Sequence, residues 1–467
     1  MRIRILKVSN YKSLHDISFS PRPQMSLLVG ANASGKTNLV DCFDFLSDVF
    51  RFDLDYAISH KGGFNAIVYR GATKNPEPIS ISMSVQLDFS DLGIPPRQLI
   101  ARGPSMLPTA NQEEIISYLR ERFKVRIGHR FELRTVGSSI GADYRISSEA
   151  LTVQCNVGVR WRPLLTIRRK RTGSVELEKG ERLALDTDTS RQHPNAAANI
   201  TRHLLSWLSG SDFLRFVETG IPLLSPTETL VNQLAGLFPA IRSYKRALSA
   251  IRVYQMGGSY CRQYAAPTPR PELSRFGENL PSVILQLKRT NPKTWDVVMG
   301  AMQSIIPELN RIEVKHSPSR SLGIVFWEDG FSKPWSVEEV SDGTIQTLAT
   351  LVAIFDPAVT FLVLEEPENS VHPWIIRHVI SACETASQSK QVLITSHSPI
   401  VIERFPPRNV YVIWRTQKGS HVEQLCTLDT GLRAKWNSGS ISTFEFLDSG
   451  MMRETVPPRP NLTDGAR

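Results

Sequence analysis

The stretch LLVGANASGKTN, residues 27–38, decides the fold of this chain. The apolar run from Met25 to Val29 predicts a buried strand, which leads into the pattern G-x-x-x-x-G-K-[ST] at residues 30–37. The apolar spacing of TNLVDCFDFLSDVF predicts a helix directly after this loop. A strand, a small-residue loop and a helix in this order predict a phosphate-binding P-loop.

The residue types of the loop fit that chemistry. Small residues let successive backbone N–H groups wrap phosphate oxygens, Lys36 adds a cation for the β and γ phosphates, and Thr37 offers a hydroxyl to Mg²⁺. The residues expected to hold the nucleotide are Gly30, Ala31, Asn32, Ala33, Ser34, Gly35, Lys36, Thr37 and Asn38. The alternative is a chance match in a glycine-containing turn, against which the strand–loop–helix context argues.

Composition bounds the class of protein. The chain of 467 residues, 41% hydrophobic and 21% charged, is ordinary for a soluble globular protein of roughly two to four domains. A net charge of +10 favours an anionic partner, of which nucleic acid is the commonest. The five cysteines form no CxxC pair, which indicates neither a disulfide framework nor a zinc site. Without an apolar leader or a long apolar run, we expect a cytoplasmic protein with no membrane span.

Periodicity predicts the layout of the chain. Ile79 to Phe89 alternates apolar with polar residues, and residues 144–170 predict further antiparallel strands. Residues 113–124 predict a short helix, and from about 195 to 255 the period is helical, with a break at IPLLSPTE. We expect an N-terminal lobe with the P-loop and an antiparallel β meander at 1–170, a mainly helical insertion at 171–275 and a C-terminal lobe at 276–467.

A basic segment ends the predicted β region. Around Trp161 it gathers six cations, which are Arg160, Arg162, Arg168, Arg169, Lys170 and Arg171. One interpretation is contact with a nucleic-acid phosphate backbone, and the other is the solvated face of a hairpin. One aromatic residue is too few for a base-stacking platform, so both interpretations stay open.

A second apolar strand carries the other half of the expected site. VTFLVLEE, residues 359–366, ends in two acids, and in a P-loop ATPase such a strand brings one carboxylate to Mg²⁺ while an adjacent Glu polarises the attacking water. We assign Glu365 to the metal and Glu366 to the water. QVLITSHSPIV then places His397 after the next strand, where it can bond the γ-phosphate or that water. The alternatives are a strand that ends in solvated acids and a structural histidine.

A third segment, VSDGTIQTLATLVAIF, predicts a helix whose N-terminus lies at Ser341, Asp342 and Gly343. Ser341 is a good N-cap, and a helix N-terminus is an anion site.

Four motifs, GANASGKT, VSDGTIQ, FLVLEEPENSVHP and ITSHSP, resemble in this order the ABC-type ATPase heads of the RecF, SMC and OLD group, particularly the bacterial AAA family ATPases with an EEPE motif. The resemblance implies a short signature motif at 341–344, a Walker B pair at Glu365 and Glu366, a D-loop at 368–372 and a switch histidine at His397. SDGT lacks the double glycine of transporter signatures. The implied fold is an α/β P-loop NTPase of ABC-ATPase type, with a mixed sheet flanked by helices, an antiparallel β lobe and a helical insertion.

The resemblance also implies partners and cofactors. Such heads bind ATP with Mg²⁺ and dimerise head to tail, so that Ser341 and Gly343 of one protomer cover the γ-phosphate on the P-loop of the other. No DxD carboxylate pair of a Toprim nuclease follows Pro406, so we expect any nuclease activity in a separate effector chain. The favoured function is the ATPase subunit of a two-gene anti-phage defence system. The alternatives are a RecF-like DNA repair ATPase and an ATP-dependent scaffold that binds only protein.

Overall fold

A computed structural model describes residues 1–69, 77–93, 113, 117, 119–136, 143–157, 161–170, 172, 174–180, 225–318, 320–428 and 430–448. The strands within them are β1 (Arg2–Tyr11), β2 (Leu14–Phe19), β3 (Met25–Val29), β4 (Ile79–Asp88), β5 (Phe123–Val136), β6 (Asp143–Val157), β7 (Trp161–Arg169), β8 (Val175–Lys179), β9 (Ile251–Tyr254), β10 (Leu309–His316), β11 (Leu322–Glu328), β12 (Trp335–Ser336), β13 (Phe361–Glu365), β14 (Gln391–Thr395), β15 (Val410–Thr416) and β16 (Gly419–Gln424). The helices are α1 (Lys36–Arg51), α2 (Leu54–His60), α3 (Phe64–Ile67), α4 (Leu230–Leu234), α5 (Pro239–Leu248), α6 (Gly258–Cys261), α7 (Leu280–Thr290), α8 (Pro292–Ile305), α9 (Asp342–Phe355), α10 (Pro373–Ala386), α11 (Pro399–Ile402), α12 (Leu425–Leu428), α13 (Thr430–Asn437) and α14 (Thr443–Asp448).

The chain divides into two compact units, of which unit 1 comprises residues 1–23 and 41–251. Its strands form an antiparallel sheet in the order β8-β7-β6-β5-β4-β1-β2. In β4 the apolar residues at 79, 81, 83, 85 and 87 are buried, whereas Ser80, Ser82 and Ser84 are half-buried on the opposite face. The antiparallel β lobe predicted from the sequence is thereby confirmed.

The predicted helix at 113–124 and the predicted helical insertion at 171–275 are not fully confirmed. The helix expected at 113–124 is wrong at its end, because Phe123 and Lys124 belong to β5, in which Phe123, Val125 and Ile127 bury alternate side chains. Of the expected helical insertion at 171–275, residues 181–224 lie outside the described residues, and the described remainder contains helices α4, α5 and α6 but also strands β8 and β9. The helical period expected up to 255 is wrong at its end, because Ile251–Tyr254 form β9. The division at 170 and 275 stays a prediction.

Unit 2 comprises residues 24–40 and 252–467. Four parallel strands lie side by side in the order β15-β3-β14-β13, and β16 pairs antiparallel with β15. All residues of β3, β13 and β14 are buried, as expected for parallel strands covered on both faces. Helices α7 to α10 bury their apolar sides in the core cluster that these strands share. This confirms the predicted mixed sheet flanked by helices.

Strand register places the expected site at one edge of this sheet. Glu365 of β13 pairs with Thr395 of β14, and Thr395 pairs with Leu28 of β3. Since neighbouring strands lie about 4.8 Å apart, Glu365 is two spacings, about 10 Å, from Leu28. The P-loop, the two acids and the segment that follows β14 therefore share the carboxyl edge of one sheet.

Unit 2 also contains a separate antiparallel sheet in the order β10-β11-β12. On it, Arg311 and Lys315 lie over the ring of Trp327. Within the described ranges, no helix has both the length and the apolar character needed to cross a bilayer.

Candidate functional site

The P-loop packs closely around the end of β3. A Cβ atom on Gly30 would lie 2.1 Å from the carbonyl oxygen of Ile413, so a glycine is required there. Gly35 adopts a φ of 110°, a conformation that glycine reaches without strain. Helix α1 begins at the next residue, and the first N–H groups of a helix have no partner inside it. The loop therefore ends in an anion-binding helix N-terminus.

Lys36 is buried, and its ammonium donates hydrogen bonds to the carbonyl oxygens of Gly30 at 2.6 Å and Ala31 at 3.2 Å. Burial lowers the pKa of this ammonium, and the charges of Glu366 and Glu368 oppose that shift. Lys36 therefore interacts electrostatically with the acidic segment that follows β13. Thr37, the next residue, is exposed.

Ser34 tests whether a phosphate group fits this loop. Its Oγ is buried and has no hydrogen-bond partner among the described residues. A buried polar atom without a hydrogen-bond partner costs about 1–3 kcal/mol of stability. A phosphate oxygen that accepted a hydrogen bond from this hydroxyl would remove that cost. This unpartnered hydroxyl, the cation of Lys36 and the tight packing of Gly30 against Ile413 together fit the phosphates of a nucleoside triphosphate.

Glu365 ends β13 as a buried carboxylate with only 6% of its surface exposed. Arg275 Nη2 donates to its Oε1 at 2.5 Å. This carboxylate and the hydroxyl of Thr37 are hard oxygen donors, the class that Mg²⁺ prefers, so the residues fit that metal. The sequence analysis missed Arg275, since it lies 90 residues from its partner and no motif joins them.

Glu366 and His397 lie in direct contact, with 3.0 Å between Oε1 of the carboxylate and Nε2 of the imidazole. Glu366 has a φ of 45°, a strained conformation for a residue other than glycine and one that is frequent at active sites. Its N–H donates to the carbonyl of Thr395 at 2.9 Å, and its Oε2 accepts from Asn369 Nδ2 at 3.0 Å. The carboxylate is thus held in place beside the histidine and can accept a proton from a water.

Glu368, expected from the resemblance only as the first residue of a D-loop, makes contacts that the sequence did not predict. Its Oε1 accepts three hydrogen bonds, from Ser396 Oγ at 2.5 Å and from the backbone N–H groups of His397 at 3.1 Å and Ser398 at 3.3 Å. One carboxylate oxygen therefore fixes the turn that carries the histidine. Its Oε2 is buried without a partner among the described residues. Its place in the EEPE motif and at the start of the implied D-loop was the sequence signal.

The expected signature segment contacts this acidic segment within unit 2. Ser341 caps α9 by accepting from the N–H of Thr344 at 3.1 Å, as its N-cap assignment predicted. A Cβ on Gly343 would lie 3.1 Å from the carbonyl oxygen of Ser370. One turn further along α9, Gln346 Nε2 donates to the carbonyl of Asn369 at 2.8 Å.

Asp342, at the first position of α9, forms an ion pair in which Arg262 Nε lies 2.7 Å from Oδ1. The same guanidinium donates to the carbonyls of Val337 and Val340, each at 2.5 Å. Arg262 therefore orders the turn before α9. Ser341 and Asp342 are themselves exposed, so this helix N-terminus is open to a further molecule.

The basic segment of unit 1 does not form a single surface. Arg160 and Arg171 lie outside the described residues, Arg162 is exposed, and exposed Arg168 and Lys170 pair with acids of β8. The nucleic-acid interpretation is wrong for Arg169, which is only 4% exposed and donates to the carbonyls of Ser225 and Glu228. Successive side chains of a strand point to opposite faces, and Arg169 therefore lies on the buried one.

The profile of a family described as "AAA domain, putative AbiEii toxin, Type IV TA system" matches residues 25–82 and 109–403. The DNA replication and repair protein RecF of Francisella tularensis subsp. mediasiatica is 34% identical over 87 residues, which are 18% of this chain and 24% of that protein. This match thus spans about a quarter of the relative's length.

Two solved structures are similar over most of the chain. The Smc head domain with a coiled coil and joint from Pyrococcus yayanosii is 10% identical, with 94% of this chain and 99% of that chain covered and a TM-score of 0.42. The Smc head domain with an extended coiled coil from Pyrococcus furiosus, bound to the C-terminal domain of ScpA, is 12% identical, with 94% and 99% covered and a TM-score of 0.40.

Proposed function

Since the chain belongs to this AAA-domain family, as its motifs led us to expect, we propose that it binds ATP at residues 30–38 and hydrolyses it to ADP and phosphate. The contact between Glu366 and His397, 3.0 Å apart at the sheet edge that also carries the P-loop, is the observation that carries this proposal. Activation of a water needs a carboxylate that can take its proton and a neighbouring group that can orient the water or the γ-phosphate, and an imidazole can serve as that group.

Each part of the reaction has a named side chain. Lys36 and the N–H groups at the start of α1 would hold the β and γ phosphates, with Ser34 donating from the loop. Thr37 and Glu365 would hold Mg²⁺, which supplies charge neutralisation at the phosphates when bound. Glu366 would accept the proton of the attacking water, and His397 would orient that water or the γ-phosphate. Asn369 donates to the carboxylate of Glu366, and the carbonyl of Thr395 accepts from the backbone N–H of Glu366.

Two substitutions separate binding from hydrolysis. Lys36→Ala removes the phosphate-binding cation and should abolish ATP binding, measured by titration calorimetry with Mg²⁺-ATP. Glu366→Gln keeps the size of the side chain but not its basicity, so ATP should bind as in the wild type while steady-state phosphate release falls about 10²- to 10⁴-fold. Equal turnover by Glu366→Gln and wild type would contradict the assignment of Glu366 as the base.

We further propose that the ATPase forms at least a head-to-tail dimer. The exposed N-terminus of α9, with Ser341, Asp342 and Gly343, would cover the γ-phosphate on the P-loop of a second copy. ATP would then join two heads and hydrolysis would release them, which couples turnover to assembly.

The dimer would control a separate effector, most simply a nuclease, as the cytoplasmic ATPase subunit of an anti-phage defence system. The family description, which names a toxin of a type IV toxin–antitoxin system, supports a defensive role. The widely spaced cysteines fit a reducing compartment. Co-purification of a nuclease with the chain, together with ATP turnover that ignores DNA, would support this role.

A RecF-like role in DNA repair is the alternative that a specific observation favours. RecF is 34% identical over the matched segment, and the chain carries a net charge of +10. DNA-stimulated ATP hydrolysis would favour this role, whereas a purely protein-binding scaffold would show neither DNA binding nor stimulation.

A further inference from the structure

The polar face of the antiparallel sheet in unit 1 carries a row of cations that the sequence alone does not bring together. Across four strand pairs, Lys7 of β1 lies opposite Ser82, Ser82 opposite Arg130, Arg130 opposite Ala150, and Ala150 opposite Arg168. The three cations are exposed, and they come from strands far apart in the chain. With strands about 4.8 Å apart, a positive charge recurs about every 10 Å across the sheet.

A second group of cations lies further along the same strands. Arg2 pairs with Gln86, which pairs with Arg126, and Arg4 projects from the bulge between Ile3 and Ile5. Arg126 lies over the ring of Trp161, with 4.0 Å from its guanidinium carbon to the ring centroid. Its Nε is buried with no hydrogen-bond partner among the described residues. Burial and the nearby charge of Arg4 lower the pKa of Arg126, so two like charges face each other here.

The floor between these two groups is a row of small side chains in β4 to β7 that begins at Ile5 in β1. Ile5, Ser84, Gly128, Thr152 and Thr166 lie opposite one another in consecutive strands. A Cβ on Gly128 would lie 2.7 Å from Thr152 Oγ1, so nothing larger fits beside that hydroxyl. Ser82 and Gln86, which mark the two groups, are four residues apart, or about 14 Å along the strand.

Two cations of this face pair with acids on neighbouring positions. Glu132 pairs with Arg130 at 2.8 Å, and Glu178 pairs with Arg168 at 3.0 Å. Exposed pairs of this kind are worth only about 0–1 kcal/mol, so both cations can exchange their partner for a phosphate. For Lys7, Arg4 and Arg126, the structure gives no carboxylate partner within the described part of the chain.

We propose that this face, defined by Arg4, Lys7, Arg126, Arg130 and Arg168, binds the phosphate backbones of a double-stranded nucleic acid. Its two cation groups, about 14 Å apart, match the roughly 12 Å width of a B-form major groove, whose edges are two phosphate backbones. The serine and threonine hydroxyls between them are typical phosphate and sugar contacts. Trp161, one side of which is covered by Arg126, is a single aromatic ring and too little for a platform that stacks successive single-stranded bases.

This inference rests on the DNA-binding alternative of the proposed function, for which it names the surface and the ligand class. It does not depend on ATP hydrolysis, because every residue of the face lies in unit 1 and the assigned hydrolytic residues lie in unit 2. Duplex binding can therefore be measured whether or not the ATPase assignment holds.

The test is fluorescence anisotropy of a labelled DNA duplex with the full chain over a series of salt concentrations. The double substitution Lys7→Gln/Arg130→Gln removes two exposed cations, so the slope of log K against log salt should fall by about 2. We expect affinity to fall at least tenfold at physiological salt, with unchanged thermal stability. The matched control Arg311→Gln/Lys315→Gln removes two exposed cations from the separate small sheet, and it should bind like the wild type.

The proposal would be overturned if the wild-type protein did not bind the duplex, or if the test and control variants lost the same amount of duplex affinity. It would also be overturned if polyglutamate bound to this face more tightly than the duplex does. Ser84→Glu, which adds an acid to the floor, should also abolish binding, and a folded Ser84→Glu protein that keeps full affinity would count against it. If the wild-type protein hydrolyses ATP normally but does not bind the duplex, the ATPase proposal stands and the duplex-binding proposal fails. If the protein binds the duplex but Glu366→Gln hydrolyses ATP as fast as the wild type, only the assignment of Glu366 as the base fails.

Discussion

At the scale of single residues, one carboxylate holds the turn that carries His397, the histidine proposed to orient the attacking water or the γ-phosphate. The Oε1 of Glu368 accepts hydrogen bonds from the hydroxyl of Ser396 and from the N–H groups of His397 and Ser398. Three donors on one ionised oxygen form a strong, directional anchor. We therefore treat Glu368 as a positioning residue that acts through His397.

Replacement of Glu368 tests this positioning role. Glu368→Ala leaves three donors without their acceptor, so the turn at 396–398 should shift and kcat for ATP should fall about 10- to 100-fold with little change in KM. Glu368→Gln keeps one acceptor oxygen and should recover part of kcat. Steady-state kinetics of both variants measure the separate effects on kcat and KM. A purely structural role would instead lower the melting temperature of Glu368→Ala and leave the kcat of its folded fraction unchanged.

The residues that the sequence predicted are those joined by short motifs. Gly30, Gly35 and Lys36 act within one loop, so their spacing alone indicates a phosphate site. The contacts that the sequence missed are made through space. Arg275 reaches Glu365 across 90 residues, and Glu368 reaches Ser396 across 28. Because such pairs depend on how strands align, no local pattern predicts them.

At the scale of secondary-structure elements, the alternation of β7 separates neighbouring cations. Arg168 is exposed and pairs with Glu178, whereas Arg169 is buried beside Glu149, with 3.6 Å from Nη2 to Oε2. The sequence predicted that residues 144–170 form strands, but a period of two does not say which face is buried. The basic segment looks continuous in the sequence and is divided by the sheet.

Two neighbouring substitutions check this division. Arg169→Ala leaves Glu149 and two carbonyls without their cation, so the free energy of unfolding should fall by about 3–5 kcal/mol. Arg168→Ala loses only an exposed pair and should change it by less than about 1 kcal/mol. Urea denaturation of both variants provides the comparison. Equal destabilisation by the two substitutions would contradict the buried position of Arg169.

At the scale of the whole molecule, the side chains proposed for hydrolysis lie at one sheet edge of unit 2. Ser341 and Asp342 at the start of α9 are exposed, which leaves that helix N-terminus open to another molecule. Within the chain, α9 reaches Glu366 through Gln346 and Asn369, since Gln346 donates to the carbonyl of Asn369 and Asn369 donates to Glu366. A second copy that docks on α9 would thus contact a helix joined by hydrogen bonds to the proposed base.

The mass of the Glu366→Gln protein in solution, measured by light scattering after chromatography, tests the central claim most directly. With Mg²⁺-ATP this variant should run at a dimer mass or a larger multiple, because the slowed hydrolysis holds the joined heads together. Without nucleotide it should run at a smaller mass, and Lys36→Ala/Glu366→Gln should stay at that smaller mass in both conditions. A Glu366→Gln protein that binds ATP tightly and keeps one mass with and without it would contradict the claim that two copies of this chain close over the nucleotide.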